Sequence, residues 1–309
     1  MAPLIDAHSI VVATRTGNYL TGDETRAGWH HASAPKQAKR MAHATINGAR
    51  LWYDVQGDAM PGAAPILLHH GYTASRVNWQ SVADRLMKRH RVIMMECRGT
   101  GASEHTADGY TLEQYAADVI GLADHLGVDR FTYAGHSMGG GIGYVLALTY
   151  PQRLERLVLM ASVPADGFPS SDPRMHEMRR TLRANRDRAT LLAQYRTTCV
   201  RPDVETDAWF ESRINHIFGV SDGHFDGGAE SMRTLSVGAK LGSITLPTLV
   251  IAGSADTLLP ANLDDFRRLP NAALQVFARA GHDVAIHEPD GVADAIDAFV
   301  RKGLARPAI

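Results

Sequence analysis

The chain has 309 residues, 45% of them hydrophobic, and a formal net charge of -1. That length and apolar fraction suit one large α/β domain with an insertion rather than two equal domains, and the near-neutral charge argues against nucleic acid as the main partner. Two cysteines, Cys97 and Cys199, are too few for a disulfide framework and lack metal-ligand spacing. Buried thiols, a reduced cytoplasmic setting and no metal or cofactor are the expectation. No apolar run approaches the roughly 18 residues of a membrane span, and no basic segment followed by an apolar stretch marks a secretory signal.

Residues 1–40 read as an N-terminal extension of unclear role. Its stretch 14–40 is polar, rich in Gly, Ala and Thr, and closes on Lys36-Gln37-Ala38-Lys39-Arg40. An ordered arm, a flexible tail, and sequence upstream of a shorter product starting at Met41 all fit it, and nothing in it looks chemical. From about residue 43 the pattern becomes regular. Residues 44–47 and 51–55 alternate like a hairpin around Asn47-Gly48. Strands are expected at 65–68, 92–95, 130–134 and 157–160, with helices at 79–89, 112–126 and 140–150. After Val163 the rhythm breaks, and residues 164–241 carry only helical patterns loaded with arginine. Strands resume at 248–252 and 274–277, and a last helix carries Val292, Ile296, Phe299 and Val300 on one face. Continuous apolar strands separated by helices indicate a parallel sheet covered on both faces.

In such a sheet chemistry collects at the carboxyl ends of the strands. The strand ending near residue 134 leads into Gly135-His136-Ser137-Met138-Gly139, a G-x-S-x-G sequence followed by a helix. A serine at a sharp strand-to-helix turn has its hydroxyl pushed clear of the backbone, and flanking glycines let the turn close. A serine hydroxyl needs a base to attack at neutral pH. Of fifteen histidines, His282 is selected by its place past the 274–277 strand. Asp256, past the 248–252 strand, is the expected orienting acid, with Asp166 in reserve. The oxyanion of a tetrahedral intermediate needs donors, expected from the backbone N–H of Met138 and of Tyr72 in the loop after the 65–68 strand. His70 reads as loop support. Arg98-Gly99-Thr100-Gly101 lacks the spacing of a phosphate loop and reads as a tight turn.

Together, His70-Gly71, Arg98-Gly99-x-Gly101-x-Ser103, the 135–139 elbow, Asp256 and Gly281-His282 resemble the motifs of the α/β-hydrolase superfamily, over residues 43–302. The chain looks like a serine esterase or lactonase of that group. The resemblance implies a mostly parallel eight-stranded sheet with helices on both faces, residues 41–163 and 242–309 forming the core and 164–241 inserted as a helical cap. Glu96 stands where many relatives have Asp; that residue supports a turn, so no catalytic role is affected.

Relatives that use a carboxylate nucleophile, the haloalkane dehalogenases and epoxide hydrolases, are excluded by Ser137. Carbon–carbon hydrolases of ring-cleavage products often show Gly-Pro-Gly after the His-Gly and an asparagine before the serine; here stand Tyr72-Thr73-Ala74-Ser75 and His136. A small carboxylic ester or lactone is therefore the expected substrate. The alternatives are carbon–carbon hydrolysis and a non-enzymatic small-ligand receptor of the same fold. Arg174, Arg179, Arg180, Arg183, Arg186, Arg188, Arg196 and Arg201 crowd the insertion. A solvated helix face accounts for most of them. The sharper expectation is that one or two, represented by Arg179 and Arg183, turn inward and hold a substrate carboxylate, with Trp209 lining the pocket.

Overall fold

The apolar runs form the strands of one sheet, in a computed structural model that describes residues 10–13, 40–58, 63–168 and 172–304. In chain order they are β1 (Ile10–Ala13), β2 (Arg40–Ile46), β3 (Ala49–Gln56), β4 (Ile66–His69), β5 (Val92–Met95), β6 (Phe131–His136), β7 (Leu154–Met160), β8 (Thr248–Gly253) and β9 (Ala272–Phe277). The sheet order is β1-β9-β8-β7-β6-β4-β5-β3-β2. Among the described residues only the β2–β3 and β3–β5 pairings are antiparallel. The eight expected strands are all present, and the 41–46 hairpin closes through Asn47 and Gly48 with φ of 47° and 78°, the left-handed pair that a two-residue turn requires. The ninth, β1, lies in the N-terminal extension and pairs in parallel with β9, Ile10 opposite Leu274 through Ala13 opposite Phe277. Four consecutive apolar residues there supply the outermost strand; most of the remaining extension lies outside the described residues.

Helices cover both faces, as a parallel sheet demands. Val82 and Leu86 of α1 (Gln80–Leu86) and Ile296 and Phe299 of α10 (Pro289–Lys302) pack on one face against Ile66, Met94 and Ile251. On the other, Leu112 and Tyr115 of α2 (Leu112–His125), Ile142 of α3 (Met138–Thr149) and Phe266 of α8 (Leu259–Arg268) pack on Leu67, Ile93 and Leu159.

Between β7 and β8 the described residues contain helices only. These are α4 (Pro173–Ala184), α5 (Arg188–Thr198), α6 (Asp207–Gly219), a π-helical turn at His224–Gly228, α7 (Ala229–Arg233) and a 3-10 helix at Gly238–Ser243. Asp172, Asp187 and Thr206 cap the first three through side-chain bonds to backbone N–H groups. The segment reaches the strand-end loops directly: Ser221 N–H donates to the Gly99 carbonyl, and the Tyr72 hydroxyl to the Phe225 carbonyl. A short helix α9 (Val284–His287) follows the loop that carries His282. No helix among the described residues is long and apolar enough to cross a membrane.

Candidate active site

Ser137 sits at the turn from β6 to α3 with φ 55° and ψ -113°, a left-handed conformation that a side chain rarely adopts. Surrounding bonds hold it there. Its N–H donates to the Met160 carbonyl, and its carbonyl accepts from Gly140, Gly141 and Val163. The flanking glycines are obligatory for space: a Cβ at Gly135 would lie 2.1 Å from the Gly139 carbonyl oxygen, and one at Gly139 would lie 2.7 Å from that of His69.

The structure brings Ser137, His282 and Asp256 together. Ser137 Oγ lies 3.0 Å from His282 Nε2, and His282 Nδ1 lies 3.0 Å from Asp256 Oδ2. The second carboxylate oxygen accepts the Leu258 N–H at 2.9 Å. Burial works against the charged form of Asp256, but the bond and charge of His282 outweigh it and hold the carboxyl below its usual range. For His282 burial again opposes the charge, and the Asp256 carboxylate prevails, holding the ring above the ordinary histidine value. Asp166 is not a rival; it pairs with Arg268 on the surface.

Tyr72 and Met138 flank the same serine. Met138 opens α3, where first-turn N–H groups have no partner within the helix. The Tyr72 loop passes against the elbow so closely that a Cβ at Gly71 would stand 3.0 Å from Ser137 Cβ. His70 supports this loop as expected: its Nε2 accepts the Cys97 N–H at 3.1 Å, leaving Nδ1–H to donate to the Gly71 carbonyl at 2.8 Å. Glu96 accepts from the Ala102 N–H at 2.7 Å and pairs with Arg76, bracing the 98–103 turn.

His136 is a connection that the sequence reading noted only as a departure from a pattern. Its Nε2–H donates to the carbonyl of His282 at 2.9 Å, tying the residue before Ser137 to the backbone of His282. Burial, aided by nearby His282, lowers its pKa to about 4, so the ring stays neutral and keeps one N–H to donate.

Above Ser137 and His282 opens a cavity of about 450 Å³, walled by the helical segment. That volume matches a small ligand. Among the described residues no cluster of histidines, cysteines and carboxylates has the arrangement to hold a metal ion.

A profile of the alpha/beta hydrolase fold matches residues 64–289. The chain belongs to the α/β-hydrolase family. It is 29% identical to a putative carbamate hydrolase RutD from a Caulobacter species, over 84% of this chain and 98% of the relative. It is also 29% identical to a 2-hydroxymuconate semialdehyde hydrolase from Pseudomonas putida, over 87% of this chain and 97% of the relative. Among solved structures, an enol-lactonase from Burkholderia xenovorans superposes with a TM-score of 0.74 at 24% identity, covering 84% of this chain and 100% of that one. This last likeness is one of fold.

Within this α/β-hydrolase the arginines of the helical segment between β7 and β8 divide sharply. Arg174, Arg180, Arg188 and Arg196 pair with Asp172, Asp226, Glu211 and Asp207 at the surface. Arg183, expected at the pocket, is not among its lining residues: its guanidinium is engaged by Asp222 and by the Ile217 and Val220 carbonyls at the end of α6. Arg186 lies over the Phe218 ring, 4.8 Å from its centroid. Arg179 and Trp209 do line the cavity, and so does Arg213, which the sequence reading missed. The available signal was helical spacing, since Arg213 stands one turn after Trp209 on α6.

The segment is also fastened beside the loop that carries His282. Arg201 Nη1 donates to the His287 carbonyl at 3.1 Å and pairs with Glu288. Buried Glu205 accepts the N–H groups of Val200 and Arg201 and lies 3.3 Å from His287 Nε2. His287 Nδ1 in turn accepts the N–H of Gly281, the residue before His282.

Proposed function

We propose that the protein is a serine hydrolase that cleaves a small carboxylic ester or lactone through an acyl-enzyme on Ser137. The observation that carries this reading is the continuous line from Ser137 Oγ through His282 to Asp256, at 3.0 Å for each step. Distances of that length suit proton transfer in the resting enzyme. His282 Nε2 takes the hydroxyl proton as Ser137 Oγ attacks the acyl carbon. Asp256, kept ionised, holds the proton on Nδ1 and stabilises the imidazolium. The oxyanion of the tetrahedral intermediate is received by the N–H groups of Tyr72 and Met138, where a single donor is worth roughly 10² to 10³ in rate. His282 then protonates the leaving alkoxide, which in a lactone remains tethered to the acyl chain. Water, deprotonated by the same imidazole, releases the acid. Residues 164–241 act as the cap that shields these steps from bulk solvent.

Labelling with a fluorophosphonate tests the reading. The reagent should modify Ser137, identified by peptide mass spectrometry, and labelling should vanish in Ser137→Ala. No modification at Ser137, together with no turnover across a panel of esters and lactones, sinks the proposal and favours a ligand receptor.

Carbon–carbon hydrolysis of a ring-cleavage product is the second reading, favoured by the 2-hydroxymuconate semialdehyde hydrolase relative. Against it stand Tyr72-Thr73-Ala74-Ser75 in the loop and His136 before the serine. Bleaching of the dienol chromophore of that semialdehyde, faster than hydrolysis of any ester, would move the assignment.

A further inference from the structure

Two cations in the cavity wall, Arg179 and Arg213, have no ion pair among the described residues. Arg213, on the inner side of α6, makes a single long bond, from Nη1 to the Thr73 carbonyl at 3.4 Å. Its Nε is buried and has no acceptor among the described residues. No carboxylate among those residues lies within ion-pair distance of it, although most arginines of the same segment have one. Its guanidinium lies 6.0 Å from the Trp209 ring centroid, and that of Arg179, equally free of an ion pair among the described residues, lies 5.9 Å from the Tyr72 ring centroid. Tyr72 and Thr73 are consecutive, so the two cations flank one loop. That loop is strained, Thr73 holding φ 49°, and it borders Ser137.

The charged neighbours are already committed. Asp256 is bound to His282, and Glu205 to two backbone N–H groups beside His287. Asp283 accepts from Asn78 Nδ2 at 3.3 Å; burial raises its pKa, and the opposing pull, led by the Arg213 charge, outweighs this and keeps it charged. His70, His136 and His216, also within the field of Arg213, are held neutral, chiefly by burial. None of these groups supplies an acceptor to Arg213 Nε. A guanidinium that lines the cavity, has no ion pair among the described residues and keeps a buried Nε without an acceptor has capacity left for an incoming planar anion.

We infer that Arg213, seconded by Arg179, binds a carboxylate on the substrate, so that the site takes half-esters of dicarboxylic acids, or lactones bearing a free carboxylate, in preference to their neutral counterparts. The words ester and lactone rest on the serine-hydrolase reading; the carboxylate site does not.

The test separates the two. In Ser137→Ala protein, titration calorimetry with monomethyl glutarate and with dimethyl glutarate reads binding without turnover. The half-ester should bind at least about tenfold more tightly, as expected for a charge-assisted pair, and Arg213→Gln should abolish that preference. In protein with Ser137 intact, the ratio of kcat/KM for the half-ester to that for the diester should fall by about tenfold or more in Arg213→Gln and less in Arg213→Lys. Arg196→Gln, on the surface and paired with Asp207, should leave the ratio alone. Where Arg213→Gln fails to fold, Arg213→Lys and Arg179→Gln carry the same comparison. Equal binding of half-ester and diester, or a preference that survives loss of both arginines, overturns the inference. A clear binding preference in a protein that neither labels at Ser137 nor turns over either compound keeps the carboxylate site and removes the hydrolase reading instead.

Discussion

Replacing Asp256 by asparagine probes the least conspicuous member of the site. One carboxylate oxygen faces His282 Nδ1 and the other accepts the Leu258 N–H. An asparagine must therefore choose. If its carbonyl keeps the Leu258 N–H, its NH₂ points at Nδ1 and forces that nitrogen to accept, which moves the ring proton to Nε2 and aims it at Ser137 Oγ. The base is then in the wrong tautomer, a change worth about 10⁴ in kcat, or about 5.5 kcal/mol. If the amide flips, the useful tautomer returns, but the Leu258 N–H faces another donor at a cost of about 1–3 kcal/mol. The flipped form also lacks the negative charge that stabilises the imidazolium. We expect kcat/KM to fall between about 10- and 10⁴-fold: the flip alone costs a factor of about 5 to 150, to which the lost charge adds, and the wrong tautomer sets the upper bound. The assay is steady-state hydrolysis of an activated ester, with the rate of fluorophosphonate labelling as a second readout. Activity within about threefold of the parent would refute the argument, because neither amide orientation leaves the base intact.

The pH profile offers an independent check. The Asp256 carboxylate raises the pKa of His282, and the reaction needs the neutral ring, so the acid limb of kcat/KM should lie above the ordinary histidine value. In Asp256→Asn that limb should move down; a limb unmoved by the substitution would detach Asp256 from the base. Gly139→Ala should cost about 1–3 kcal/mol of stability and abolish Ser137 labelling, because the added Cβ meets the His69 and His70 carbonyls at 2.7 and 2.9 Å, backbone atoms with no room to retreat. Thermal melts alongside labelling would reveal a tolerant elbow, if one exists.

The core of this fold was legible because buried parallel strands read as apolar runs, and a residue's place just past such a run puts it at the strand's carboxyl end. Asp256 and His282 were found in that way, and each lies in the loop after its strand. The helical segment was not legible to the same depth. Its caps and helices are encoded locally by Asp172, Asp187 and Thr206, but the rotation of each helix about its own axis depends on packing against the loops below. Arg183 and Arg213 are chemically identical. Only the arrangement in space sends the first to the carbonyls ending α6 and leaves the second facing the cavity. β1 was hidden for another reason: four apolar residues in a polar extension carry no periodicity that says which edge they join.

The bonds from Arg201 to the 279–288 loop, with Glu205 3.3 Å from His287 Nε2, join two parts of the molecule that are usually treated apart. The roof of the cavity and the imidazole hang from one bonded unit, through His287 and the Gly281 N–H. A ligand that shifts residues 199–205 pulls on the loop that carries His282, and any such pull that alters the proton affinity of the ring couples the two sites. By linkage, protonating His282 changes that ligand's affinity by the same free energy. Coupling of this kind is read as a dependence of binding heat on the buffer's ionisation enthalpy near the acid limb; binding heats independent of the buffer would show the two equilibria to be separate.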